Sequence, residues 1–114
     1  MSNCVFCSII GGQIPSDKVY EDELCVIFRD IDPKAKQHYL AVPKKHFPTL
    51  DAMSAEDEIN IGKILKTISS LQEKLGLSGG YRLVINQGAD AGQTVFHLHI
   101  HILGGQELPF DDMR

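Results

Sequence analysis

"FHLHIHILGG", residues 96–105, sets three histidines at every second position and ends on a glycine pair. Period-two alternation is the mark of a β-strand, whose successive side chains point to opposite faces. His97, His99 and His101 are therefore expected on one face, with Phe96, Leu98, Ile100 and Ile102 on the other. The apolar set predicts a core and the histidines a displayed row. A lone histidine in a strand is usually packed or solvated, but three between large apolar residues point to a site. At ~3.3 Å rise per residue, neighbours in the row lie about 6.6 Å apart and the outer pair about 13 Å apart. Two of them can share an ion, whereas three cannot easily converge on one with metal–nitrogen bonds of ~2.0–2.1 Å. The row thus divides its labour. An imidazole near neutral pH can carry a proton or attack phosphorus, and it attacks better when a carbonyl holds its second nitrogen. Upstream, Gly92-Gln93-Thr94 offers backbone N–H groups and a hydroxyl for the oxygens of a phosphoryl centre.

The rest of the chain supplies a scaffold for this strand. "YRLVINQG" (81–88) and "TVFHLHIHIL" (94–103) read as the last two strands, joined through the glycine-containing loop "GADAGQ". Ser54 followed by Asp57 resembles a capping box with a shorter acid, and Ile61, Ile64, Leu65, Ile68, Leu71 and Leu75 recur at helical spacing up to Gly76. That spacing predicts a helix of about six turns. Farther upstream, "HYLAV" (38–42) reads as a strand stopped by Pro43. Lys18 to Tyr20 and Leu24 to Arg29 form a hairpin, with Val26 and Phe28 on one face and Cys25 and Ile27 on the other. The stretch Cys4 to Gly12 predicts a short helix ended by Gly11-Gly12. Five strands and two helices, with hairpins at both ends, give an α+β architecture around a mainly antiparallel sheet. His38 carries no assigned chemistry in this reading, and Lys44-Lys45 reads as a solvated pair.

Bulk properties narrow the function. A chain of 114 residues makes one domain, taken over residues 1–114, and its 43% hydrophobic and 23% charged residues suit a globular fold. A net charge of −4 with one basic pair gives little grip on a nucleic acid backbone. The start, MSNCVFCSII, has neither the basic nor the long apolar region of an export signal, and no stretch reaches the ~20 apolar residues of a membrane helix. The expectation is a cytoplasmic protein without membrane or nucleic acid partners. In such a compartment Cys4, Cys7 and Cys25 are thiols or metal ligands rather than disulfides. Cys4-x-x-Cys7 is half of a zinc pattern, and an apolar helix with two small buried thiols would look the same. Cys25 reads as a small buried hydrophobe.

"HLHIHIL" resembles the histidine triad (HIT) signature of alternating histidines and apolar residues. Three blocks, "FCSIIGGQIPSDKVYED", "FRDIDPKAKQHYLAVPKKH" and "GYRLVINQGADAGQTVFHLHIHILGG", are similar in order and spacing to the compact Hint branch of that family. The resemblance runs from Cys4 to Gly105 and implies a nucleotide hydrolase of HIT-like fold acting on purine nucleoside 5′-phosphoramidates or related nucleotidyl conjugates. Its central histidine, here His99, would attack the α-phosphate to give a covalent nucleotidyl-histidine, and water would release AMP or GMP. By the same resemblance His101 contacts the phosphate near the leaving group and the Thr94 hydroxyl assists departure. Asp30 would accept hydrogen bonds from the ribose, Phe6, Ile9, Phe28 and Ile31 would wall the purine, and Asn86, Gly92 and Gln93 would line the phosphate side. Relatives with this CxxC opening imply a zinc held by Cys4, Cys7, His46 and His97, with no metal at the reacting phosphorus. The family also implies a homodimer, in keeping with an apolar stripe on the long helix that exceeds what a small sheet covers.

Bland roles exist for several of these residues. Phe6, Ile9 and Phe28 would be core in any α+β domain, Asp30 could cap its own turn, and Thr94 could simply start a strand. Two other activities share the pattern: dinucleoside polyphosphate hydrolysis of the Fhit type, and nucleotide binding by an interaction module with incidental hydrolysis.

Overall fold

The computed structural model describes residues 4–109. Residues 1–3 and 110–114 of the domain expected over residues 1–114 lie outside that range. A short helix α1 (Val5–Ile10) opens the chain, followed by strands β1 (Lys18–Glu21), β2 (Cys25–Arg29) and β3 (Gln37–Pro43). The long helix α2 (Ala55–Ser70) crosses to β4 (Tyr81–Val84), and β5 (Ile100–Gly104) ends the sheet. All pairings are antiparallel, in the order β1-β2-β3-β5-β4. The expected α+β class, the five strands and the two helices are all present.

Both faces of the sheet are covered, which explains why β2 and β3 are apolar almost throughout. Cys25 and Ile27 of β2, Tyr39 and Ala41 of β3, and Ile100 and Ile102 of β5 face α2, where Ile64 and Ile68 complete the larger core. Val26, Phe28, Leu40 and Val42 point the other way and meet Phe6 and Ile9 of α1. At about 25 cal/mol per Å² of apolar surface removed from water, each buried Val, Leu, Ile or Phe of the two clusters contributes roughly 1.5–3 kcal/mol. The split of β2 between Cys25/Ile27 and Val26/Phe28 is the one its alternation predicts.

Helix α2 starts as its sequence demands. The Asp57 N–H donates to Ser54 Oγ (3.1 Å), and the Ser54 N–H donates to Asp57 Oδ2 (2.9 Å), a complete capping box. Its end comes earlier than the periodicity implies. The helix has 16 residues, not six turns, because Leu75 and Leu77 both turn into the core after it. The Tyr39 hydroxyl donates to the Leu75 carbonyl (2.7 Å), and Gly76 takes a positive φ of 74° to close the turn. Lys45 is also more than a solvated charge, since its Nζ lies 2.9 Å from the buried Asp57 carboxylate; Lys44 Nζ lies 2.9 Å from Glu21.

The last strands are shorter than expected. β4 stops at Val84 and β5 begins only at Ile100, so the histidine row is not one continuous strand. The Leu98 N–H donates to the Phe47 carbonyl (2.8 Å), outside the ladder, and Phe96 is 52% exposed instead of sitting in the core. Leu98, Ile100 and Ile102 are buried as the alternation requires. The glycine pair closing the stretch has a steric cause. A Cβ on Gly104 would stand 2.6 Å from Leu77 Cδ2 and 2.9 Å from the Gly80 carbonyl oxygen, and Gly105 has φ of 78°.

Candidate functional site

His97 and His99 lie on the segment leading into β5, His97 within a bend, and His101 lies on the strand itself. All three line the sheet face that carries α1, but their surroundings differ.

The Nδ1 of His99 is 2.8 Å from the carbonyl oxygen of His97. A ring nitrogen facing a carbonyl carries the proton, so Nδ1–H is the donor and Nε2 keeps its lone pair. The His99 ring is half-buried, with Phe6 edge-on at 4.9 Å and His101 at 5.2 Å between ring centroids. A ring so fixed is oriented for attack by Nε2.

His101 belongs to a chain of contacts that sequence reading missed. The Lys34 N–H donates to His38 Nδ1 (3.0 Å), which places the His38 proton on Nε2, 2.9 Å from His101 Nδ1. His38 therefore donates to His101, whose own proton sits on Nε2, so His101 can donate to an oxygen in the site. Asp30 Oδ2 lies 3.4 Å from the same His38 nitrogen. The register makes this contact: β3 pairs Leu40 with His101, so His38, two residues along, is a diagonal neighbour on the same face. Burial pushes the imidazole of His101 down to about 4, aided by His99 and His38, and burial also lowers that of His38. The signal available in the sequence was a histidine on the apolar side of "HYLAV", in phase with Leu40 and Val42.

His97 is fully buried and has a different set of partners. Its Nε2–H donates to the Pro43 carbonyl (2.7 Å), which leaves the Nδ1 lone pair pointing at Cys4 Sγ (3.4 Å), Cys7 Sγ (3.6 Å) and His46 Nδ1 (3.1 Å). Cys7 Sγ is 3.3 Å from His46 Nδ1, and the four donor atoms all lie within 4.8 Å of one another. Two sulfurs and two ring nitrogens converging this closely fit a tetrahedral Cys₂His₂ ion site, and the Pro43 carbonyl would fix the tautomer a metal ligand needs.

The other expected residues are distributed unevenly. Phe6, Ile9 and Phe28 form one buried cluster beside the triad, with Phe6 and Phe28 edge-on at 5.9 Å. Ile31 is fully exposed at the rim, 101% on the relative scale. Asp30 Oδ1 accepts the Asp32 N–H (2.8 Å), so it caps its own turn while Oδ2 stays near His38. Asn86 is half-buried beyond β4. Gly92 and Gln93 are committed within their loop: their N–H groups donate to Ala89 (3.0 Å) and Gly88 (3.1 Å) carbonyls. The buried Gln93 side chain accepts from the Gly88 N–H and donates to the Pro48 carbonyl, each at 2.9 Å. These two residues shape the loop that presents Thr94, rather than offering unused backbone donors as the sequence suggests. Thr94 is exposed and lines a cleft of about 280 Å³ with Cys4, Val5, Val95 and Phe96.

The strand order, the histidine-bearing β5 between β3 and β4, and the helix across one face are those of the HIT fold. The HIT domain family model matches residues 11–108, and the chain belongs to the histidine triad family. It is 48% identical over 102 residues to an uncharacterised HIT-like protein of Synechocystis, covering 90% of each chain. Among solved structures, a HIT family hydrolase from Legionella pneumophila superimposes with a TM-score of 0.89 at 42% identity, over 95% of this chain and 97% of that one. A zinc-bound histidine triad family protein from Mycobacterium smegmatis superimposes with a TM-score of 0.80 at 33% identity, over 95% of this chain and 78% of that one.

Proposed function

We propose that this protein is a hydrolase of purine nucleoside 5′-phosphoramidates or related nucleotidyl conjugates, acting through a covalent nucleotidyl-His99 and releasing a nucleoside monophosphate. The observation that carries the reading is the 2.8 Å contact of His99 Nδ1 with the His97 carbonyl, which leaves Nε2 as a fixed lone pair. Nε2 attacks the α-phosphorus, the P–N bond breaks, and the departing amine takes up a proton; water then attacks the same phosphorus and returns His99. His101, held neutral by burial, donates from Nε2 to an oxygen of the reacting phosphate, and Thr94 supports the leaving group from its cleft. Phe6, Ile9, Phe28 and Ile31 enclose the purine, and the Asp30 carboxylate accepts from the ribose hydroxyls. Asn86 is assigned to the phosphate side of the site, and Gly92 and Gln93 to holding the Thr94 loop.

Cys4, Cys7, His46 and His97 hold a structural zinc in this reading, supported by the convergence of their donor atoms and by the zinc-bound mycobacterial relative. The ion would supply cross-linking between α1 and the triad segment and takes no part at phosphorus. A homodimer and a cytoplasmic location complete the proposal. Ile59 and Leu65 of α2 and Leu83 of the edge strand β4 are exposed apolar residues in keeping with a dimer face, and no described helix is long and apolar enough to cross a membrane.

The test compares adenosine 5′-phosphoramidate with diadenosine triphosphate in one assay. Faster turnover of the phosphoramidate supports the proposal. Preference for the dinucleotide would favour the Fhit-type activity, and AMP binding without turnover of either would favour a binding module.

A further inference from the structure

The CxxC pair stands where a change in its sulfurs would reach the phosphate site. Cys4 and Cys7 are half-buried, and Cys4 lines the same 280 Å³ cleft as Thr94 and the exposed Val5 and Phe96. A small polar oxidant entering that cleft reaches Cys4, a half-buried residue of its lining. The partner sulfur is close, since all four donor atoms of the cluster lie within 4.8 Å of one another. Cys25 offers the contrast: it is fully buried in the other core, and burial pushes its thiol up to about 12.

Two links run from the pair to His99. The first is α1, which carries Cys7 next to Phe6; the Phe6 ring packs edge-on to His99 at 4.9 Å and to His97 at 6.0 Å. The second is His97, whose Nδ1 faces both sulfurs while its carbonyl accepts the His99 Nδ1–H. Sulfurs that hold an ion together with His46 and His97 fasten α1 to the triad segment. Sulfurs bonded to each other cannot do so.

We infer that Cys4 and Cys7 form a peroxide-sensitive thiol pair whose oxidation unfastens α1 from the triad segment and switches off the His99 site. The Cys4 thiolate attacks a peroxide oxygen, so that an S–O bond forms, the O–O bond breaks and hydroxide or alkoxide leaves. The Cys7 thiolate then attacks the Cys4 sulfur, forming the S–S bond and expelling hydroxide. Two electrons pass from the sulfurs to the peroxide, and the expelled oxygens take up protons. The disulfide no longer holds the ion with His46 and His97, and a dithiol reductant reverses the step.

The inference rests on the proposed zinc site and activity, so the experiment reads each separately. The zinc-loaded full chain is titrated with hydrogen peroxide while intact mass, zinc release to a chromogenic chelator, the imidazole NMR signal of His99 and phosphoramidate turnover are followed. Expected are a loss of about two mass units mapping to the Cys4–Cys7 peptide, matching zinc release, a shifted His99 signal and a drop in turnover of at least about tenfold. Dithiothreitol with zinc restores all four, and Cys25 stays reduced. Cys4→Ser protein, read for folding by the same NMR spectrum, shows no two-unit loss. Peroxide that leaves both thiols intact overturns the inference, as does a Cys4–Cys7 disulfide that changes neither the His99 signal nor turnover. A protein that never turns over phosphoramidate, or never loads zinc, contradicts the proposed function or zinc site instead, and mass and NMR still decide the thiol chemistry.

Discussion

His38 Nε2 lies 2.9 Å from His101 Nδ1, a contact between two histidines 63 residues apart in sequence. Because the Lys34 N–H occupies the other nitrogen of His38, the proton between the two rings belongs to His38 and fixes the tautomer of His101. His38 is thus a positioning residue for a group the proposed mechanism uses directly.

Removing it should cost activity without removing the nucleophile. His38→Ala leaves the Nδ1 of the half-buried His101 without its donor, an effect of about 1–3 kcal/mol, which corresponds to a loss of roughly 5- to 160-fold in kcat/KM. Steady-state kinetics should place the loss in kcat, with KM for the phosphoramidate little changed. His38→Gln, which can still donate, should recover part of it.

Acid should destabilise the fold through the same group. Burial holds His101 at about 4, while the unfolded residue titrates near pH 6.5. Between those values the unfolded chain binds more protons than the folded one, so stability rises with pH across the window and falls as pH drops from about 6.5 towards 4. Burial lowers His38 in the same direction. Thermal melts from pH 7.5 to 4.5 should show a declining Tm below about pH 6.5, with a shallower decline in His101→Gln.

The metal reading predicts one zinc per chain in purified protein, by elemental analysis. A ligand bound only by the folded state at a hundred times its Kd stabilises by about 2.7 kcal/mol, so chelation should lower Tm by several degrees. Cys7→Ser and His46→Gln should lose the ion and show no further response to chelator.

Gly104→Ala should destabilise although it adds one methyl group. The new Cβ would meet Leu77 at 2.6 Å and the Gly80 carbonyl at 2.9 Å. Overpacking of this kind costs about 1–3 kcal/mol, readable as a lower urea midpoint at unchanged m-value.

Much of this arrangement was legible in the residues, and the exceptions share a cause. Alternation placed Cys25/Ile27 and Val26/Phe28 on opposite faces, and the Ser54/Asp57 pair announced the start of α2, because local geometry settles both. Where tertiary contacts claim the backbone, pattern reading overran. Phe47 takes the Leu98 N–H, so the histidine row enters β5 only at Ile100, and Phe96 is left exposed. Tyr39 claims the Leu75 carbonyl, and the apolar spacing that runs past Ser70 marks a packed turn instead of more helix. His38 went unassigned because its partner lies on another strand, and only the β3–β5 register brings the two together. The three histidines differ in their hydrogen-bond partners, which only the folded chain reveals: Pro43 for His97, the His97 carbonyl for His99 and His38 for His101.

The central claim is that His99 forms a bond to phosphorus. Protein mixed with a fluorogenic adenosine phosphoramidate, quenched within one turnover and digested, should yield a peptide heavier by one adenosine monophosphate unit, with the added mass on His99. His99→Ala protein with its NMR spectrum otherwise intact should yield no adduct and lose roughly 10⁴-fold or more in kcat. An adduct on another residue, or full turnover by the His99→Ala protein, would contradict the account.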